Sequence, residues 1–482
     1  MSKHGLTKTR ILFLSLFALL LGARLCHVEI LWAEETLPLA AAQQMRAGKV
    51  LYRDVWFDKP PAAPLLYRAL GGEAGWVLRT AGALYALLCC WIAFVFAREL
   101  WGEPEGRWAA GLLGFFLIFD FPSSTIPLAV DQLMMASHMA AVWMAWKGRP
   151  WWAGVWCGVA FAVSPKGLFV LAVCAWWAPS VALPAGFAAV TGIASGWLWS
   201  TGAFAGYWDE VWRWGRVYAA ATFVEDPVRN GLVRTLNWAG FHVGLVLASV
   251  LGLRDMRPTQ ARLWSVWLSV SLLGAAAGLR FFPRYYFQLL PVVVLLAARG
   301  FALARAWRVY LLAALLTVPL VRFAPTYYAA ANGGAWRDTA MDRDSRAVAG
   351  LLNRAAHSGD TLFVWGYRPE IYVYSHLPAA SRFLDSQPLT GVPADRHLTQ
   401  SVPVETEGAR AHRGELARTQ PTFVVDGLTG YNPRLGLAAF DDLRAWMAQY
   451  REVGRSGQSV LYQRMDQRAD QQVNQRAFER AR

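Results

Sequence analysis

Charge is scarce in this chain: only 17% of its 482 residues are Asp, Glu, Lys or Arg, against roughly 25% in an ordinary soluble protein. A soluble globular domain is excluded by that figure together with a hydrophobic share of 55%. Cysteine is also scarce, at five, and all of them (Cys26, Cys89, Cys90, Cys157, Cys174) fall in apolar stretches. No disulfide framework or cysteine metal cluster follows from that placement. Walker loop, G-x-G-x-x-G and H-E-x-x-H are all missing, which argues against a nucleotide-driven pump.

What the chain has instead is aromatic and apolar length. Its 25 Trp and 25 Phe suit the two water interfaces of a bilayer, where amphipathic rings settle at headgroup depth. Apolar runs of membrane-spanning character occur near 11–31, 76–97, 108–122, 132–146, 151–164, 167–183, 184–201, 238–253, 263–279, 286–304 and 308–324. By span length that predicts about eleven transmembrane helices, with the two around Ser164 readable as one broken pair. The start, "MSKHGLTKTRILFLSLFALLLGARLC", has the basic end and apolar core of a signal sequence without a small-x-small cleavage site, and reads as an uncleaved anchor.

The net charge of +14 has a membrane explanation that makes a nucleic-acid partner unnecessary. With Lys3, Lys8 and Arg10 inside, the groups Arg98/Arg107, Lys147/Arg149, Arg254/Arg257/Arg262 and Arg299/Arg305/Arg308 all fall on the cytoplasmic side, as the positive-inside rule requires. An odd number of spans then puts the polar region from 326 to 482 outside, with external loops at 32–75 and 202–237. The expected architecture is a polytopic α-helical membrane domain over 1–325 followed by a small α/β extracytoplasmic domain over 326–482. Within the latter, a helix is predicted over 340–357 and strands at "TLFVW", "TFVVD" and "SVLYQR", then a polar, frayed tail "DQRADQQVNQRAFERAR". The 202–237 loop, with Tyr207, Trp208, Trp212 and Trp214 among Asp209, Glu210, Arg213 and Arg216, is predicted to lie along the interface.

Some charges fall on the outer side against that rule. The stretch "WAEETLPLAAAQQMRAGKVLYRDVWFDKPP" brings Glu34, Glu35, Asp54 and Asp58 together with Arg53 and Lys59, and Lys166 in "SPKG" and Arg280 and Arg284 in "RFFPRYYFQLLP" lie at the same depth. An enzyme working there has no nucleotide sugar at hand and must take its group from a lipid carrier, whose phosphate Lys and Arg can clamp. A carboxylate beside that clamp can deprotonate an acceptor hydroxyl. Exposed ion pairs such as Glu34 with Arg53 or Asp58 with Lys59 would have only a structural meaning. Asp131, at an outer span end, is a further candidate for the site or for a divalent metal. His138, inside an apolar run, reads as a helix-to-helix hydrogen bonder. The stretch "GYRPEIY" reads equally as an acceptor contact or as domain packing.

Together these stretches resemble the GT-C integral membrane glycosyltransferases, in particular the bacterial branch related to lipid A aminoarabinose transferase and the protein O-mannosyltransferases. The likeness rests on "AEETLPLAAAQQMRAGKVLYRDVWFDKPP", "SPKGLF", "RFFPRYYFQLLP" and "DTLFVWGYRPEIYVYSHLPAASRFLD", in that order. It implies an inverting glycosyltransferase of the bacterial inner membrane. The donor would be a polyprenyl-phosphate sugar and the acceptor a periplasmic lipid, glycan or protein. By the same resemblance Glu34 is the catalytic base with Glu35 next to it, where the family pattern has Asp-Glu. Lys59 contacts the donor phosphate, joined by Arg53, Lys166, Arg280 and Arg284; Asp54, Asp58, Asp131 and Tyr285 are candidates for acceptor contact or positioning. The competing reading is a transporter or flippase of lipid-linked saccharides, whose charges would line a path near the midplane. It lacks an evident inverted repeat and has no need of a long outer loop.

Overall fold

A computed structural model describes residues 3–220, 226–394, 397–398 and 400–465, with side chains from residue 7 onward. The polar tail and the middle of the 202–237 loop lie outside the described residues. The chain forms two compact units: Met1–Glu35 with Asp58–Trp336, and Thr36–Phe57 with Arg337–Arg482. The 32–75 loop is therefore shared between them, with half of it, Thr36–Phe57, belonging to the second unit.

The first unit is helical. Trp76–Trp101, Ala182–Ser200 and Ala306–Ala331 are each long and apolar enough to cross a membrane, with mean hydropathies of 2.0, 1.2 and 1.6. Pro227–Phe241 and Val243–Arg254 qualify as a pair bent by 88°. Other apolar runs fold as shorter helices, among them Pro150–Val163, Gly167–Trp177 and Leu290–Leu303. Eleven runs of the sequence thus yield three helices, or four with the bent pair, that pass on length and composition among the described residues. Breaks such as Ser164-Pro165 divide the rest, because proline supplies no amide hydrogen and clashes with a helical predecessor.

Packing in this unit follows membrane rules, with small residues where helices meet. A Cβ on Gly154 would stand 2.0 Å from the carbonyl oxygen of Leu183, and one on Gly186 would stand 2.2 Å from that of Trp151. These two glycines let Pro150–Val163 and Ala182–Ser200 touch backbone to backbone. His138 accepts a hydrogen bond from Trp267 Nε1 at 2.9 Å, within a stack that includes Phe96, Trp264 and Trp177, so it joins two helices as its sequence position suggests. The aromatic 202–237 segment forms the helices Phe204–Tyr207, Trp208–Arg213 (a π-helical turn), Trp214–Ala220 and Pro227–Phe241.

The second unit holds a four-stranded sheet in the order β1 (Leu362–Trp365), β2 (Phe423–Asp426), β4 (Ser459–Arg464), β3 (Tyr450–Ser456). β1 and β2 are parallel, with Leu362 opposite Phe423, and their all-buried apolar runs fit a sheet covered on both faces. β4 pairs antiparallel with β2 and with β3. The three strands read from the sequence are present; β3, "YREVGRS", was not anticipated because exposed Arg451, Glu452 and Val453 break the alternation. Helix Ala340–Ala355 buries Val348, Ala349 and Leu352. The 36–57 segment is tied to this unit by Gln44 Oε1 accepting from the Ala379 amide at 2.9 Å and the Trp56 amide donating to the Arg382 carbonyl at 2.8 Å.

Candidate active site

Four charged side chains of the first unit, Glu34, Asp131, Lys166 and Arg284, come to one place. Helix Ala33–Arg46 opens with Glu34 and Glu35 in its first turn, where carboxylates favour the positive end of the helix dipole. Asp131 holds the same position in Val130–Trp146. Lys166 caps Gly167–Trp177 after the Ser164-Pro165 break, and Gly167 is needed there because a Cβ would meet the Phe161 amide nitrogen at 2.5 Å. Arg284 stands in the 3₁₀ turn Pro283–Gln288. The chain reaches that turn through Leu279 and Phe281, with φ of 56° and 50°. Left-handed backbone at bulky residues is costly and tends to be kept where function needs the geometry.

These groups form a continuous line of alternating sign. Arg284 Nη1 is 2.7 Å from Glu34 Oε1, and Arg284 Nε is 3.7 Å from Asp131 Oδ2. Lys166 Nζ lies 3.1 Å from Asp131 Oδ1. The Lys166 ammonium also sits 3.6 Å from the centre of the Tyr285 ring, close enough for a cation–π attraction. Glu34 and Arg284 keep about a quarter of their side-chain surface, 24% and 23%, and Asp131 and Lys166 keep 10% and 16%. The line is therefore sheltered yet reachable. Burial pushes the Tyr285 phenol above its ordinary value, so Tyr285 presents a neutral hydroxyl, 3.4 Å from that of Tyr218. Arg280 stacks on the Tyr218 ring at 3.6 Å and donates to its carbonyl, which links it to the same cluster from behind.

The structure separates the other candidates. Glu35 turns away from Glu34 and is fully buried, in a two-pronged ion pair with Arg79 at 2.7 and 2.8 Å. Asp58 and Lys59 pair with each other at 2.9 Å, Asp58 8% and Lys59 37% exposed. Arg53 and Asp54 belong to the second unit, where Arg53 pairs with Asp54 at 2.8 Å and Asp54 Oδ2 accepts the Val50 amide. That pairing holds Asp54 below the usual carboxylate range. It closes a turn in which Tyr52 has a φ of 65°. Glu34 thus pairs with Arg284. In "GYRPEIY", Arg368 and Glu370 are buried; Arg368 binds Asp344 at 2.7 Å, Ser459 Oγ at 2.6 Å and Ser345 Oγ, so these two side chains pack the second unit.

Arg79, the buried partner of Glu35, is a charge that sequence reading does not single out. It stands in the first turn of an apolar helix, Trp76–Trp101, where a lone Arg looks like a snorkelling end; its neighbour in space is 44 residues away. Among the described residues no group of three His, Cys, Asp or Glu side chains gathers where it could hold a metal ion.

No protein-family model matches the chain, and no curated protein sequence matches it. Solved structures do. The chain is similar to ArnT from Cupriavidus metallidurans bound to undecaprenyl phosphate, at 14% identity, covering 96% of this chain and 99% of that one with a TM-score of 0.61. It is similar also to the apo state of ArnT from that organism, at 14% identity over 95% and 98% of the two chains, TM-score 0.59. At that identity the likeness is one of fold, and it runs the length of both chains: this protein shares the fold of those ArnT structures.

Proposed function

We propose that the protein is a glycosyltransferase of the bacterial inner membrane that moves a sugar from a polyprenyl-phosphate carrier to a periplasmic lipid, glycan or protein. One observation carries the reading: a reachable carboxylate, Glu34, lies 2.7 Å from a guanidinium that also faces Asp131, in line with Lys166. Base and phosphate clamp are the two halves of such a transfer, and here they share one small cluster. A fold shared with ArnT bound to undecaprenyl phosphate supports the choice of donor, and the positive-inside pattern supports an outer site with the second unit in the periplasm.

In this mechanism Arg284 and Lys166 hold the donor phosphate by charge-assisted hydrogen bonds, and Lys59 would join them only by leaving Asp58, its partner in the structure. Glu34 takes the proton of the acceptor hydroxyl as its oxygen attacks the anomeric carbon. The bond from that carbon to the phosphate oxygen breaks, and its electron pair leaves on the phosphate, whose growing charge the two cations stabilise. A single displacement inverts the anomeric centre. Asp131 orients both cations, and the neutral Tyr285 hydroxyl is available to the sugar or the phosphate. Incubating purified protein with radiolabelled undecaprenyl-phosphate sugars and candidate acceptors tests the reading. Labelled product is expected, and movement of intact lipid-linked saccharide across a vesicle bilayer without transfer would replace it with the transporter.

A further inference from the structure

The Glu35–Arg79 pair has no place among the reacting groups, yet both side chains are almost fully buried, 0% and 1% exposed. Its contacts concentrate on the few residues that lead into Glu34. Glu35 Oε1 accepts the Trp32 amide at 2.9 Å, the glutamate half of a capping box, while the Glu35 amide closes a backbone turn onto the Trp32 carbonyl at 2.9 Å. Arg79 binds the Glu35 carboxylate with two nitrogens, donates to the His27 carbonyl at 3.1 Å and donates to the Ile30 carbonyl. Residues 27, 30, 32 and 35 are thereby pinned to the first turn of Trp76–Trp101, which holds the backbone on both sides of Glu34.

Stability alone does not call for such a device. A buried ion pair is repaid poorly for its lost hydration, and well-packed apolar residues in its place are often as stable or more so. What the pair supplies is direction, since a planar guanidinium with a fixed fork locks a carboxylate in one orientation. We infer that Arg79, acting through Glu35, is a positioning residue that aims the Glu34 carboxylate at the acceptor hydroxyl. The inference rests on the transferase reading of Glu34.

The experiment replaces the pair by apolar residues of similar size. The double variant Glu35→Leu/Arg79→Met is expected to melt near the wild-type temperature and to bind undecaprenyl phosphate within about threefold, while its turnover falls about 100-fold, the usual scale for a base displaced by about 1 Å. A purely structural pair would leave turnover within about threefold of wild type once the fold is intact, and that result overturns the inference. Should the double variant fail to insert, Arg79→Lys decides: it keeps the charge but loses the fork. Its turnover is expected to drop roughly tenfold with undecaprenyl phosphate binding unchanged, and full turnover would overturn the inference. A wild-type protein that binds undecaprenyl phosphate but transfers no sugar fells the transferase reading and the inference with it. Fully active variants of an active wild type fell the inference alone.

Discussion

Replacing Glu34 by Gln separates the roles of the two adjacent glutamates, because their surroundings make opposite demands on rate and stability. Gln keeps the size and hydrogen-bonding reach of Glu and removes its ability to take a proton. Loss of a general base costs about 100- to 10,000-fold in rate, which is roughly 3 to 5 kcal/mol on the barrier. The stability change is smaller. Glu34 and Arg284 are each about three-quarters buried and Arg284 keeps Asp131 as a second partner, so losing this charge-assisted contact should cost about 1.5 to 3 kcal/mol at most. Glu35→Gln should show the reverse emphasis, since breaking a fully buried pair costs about 3 to 5 kcal/mol and the amide would leave the Arg79 charge uncompensated. Single-turnover transfer of labelled sugar, with thermal melts of each variant in detergent, measures both quantities. A stable Glu34→Gln protein with near-normal turnover would refute the base assignment and make Asp131, which shares Arg284, the next residue to test.

Lys59→Ala should weaken donor handling and spare acceptor handling, by about 1.5 to 3 kcal/mol if the ammonium leaves Asp58 to reach the phosphate; donor and acceptor KM values measured separately decide it. A reporter that works only after export, fused after residue 340, should be active, and a cytoplasmic result would put the second unit on the wrong side for the mechanism. Burial pushes buried His397 of the second unit down from 6.5 to about 3. The unfolded chain therefore binds a proton there that the native state does not, and its contribution to stability is full above pH 6.5 and lost as the pH falls from there towards 3. Thermal melts from pH 7 to pH 5 should fall with a slope of at most about 1.4 kcal/mol per pH unit from this group, a slope absent in His397→Gln.

Much of the fold was legible because its signals are local. The period of the apolar residues places the helix Ala340–Ala355, and short β-branched runs between turn residues place β1, β2 and β4. The parallel pairing of β1 with β2 follows from a long crossover that carries helices such as Glu407–Leu416. Span counting is harder, since a proline or a polar pair inside an apolar run can end one helix and start another at a sharp angle. His242, between Phe241 and Val243 at the 88° bend, has no proline near it, and Gly240 and Gly244 on either side weaken the helix without fixing where it bends. It is held there by contacts no sequence window contains, with Asp120 at 3.4 Å and the Trp238 ring stacked on it.

The site was legible to a different extent, because sequence shows which charges are out of place and cannot show how they pair. Glu34, Lys166, Arg284 and Asp131 each stood out as charge at the outer edge of an apolar run, and the structure brings those four into one line. Glu35, Arg53, Asp54, Asp58 and Lys59 stood out by the same rule yet find partners elsewhere, Asp58 with Lys59 and Arg53 with Asp54 through neighbours in the chain. The difference is one of sheltering. A charge that sequence neighbours can neutralise forms its pair locally and stays partly in water, whereas Glu35 reaches Arg79 across 44 residues and gives up water to do so. Long-range pairing of that kind costs hydration, and it is kept where orientation matters more than energy. On the proposed mechanism, charge of both signs gathers in the 32–75 segment for two separate physical reasons: Glu34, paired with Arg284, serves as the base, and Glu35, buried against Arg79, holds the helix turn that carries it.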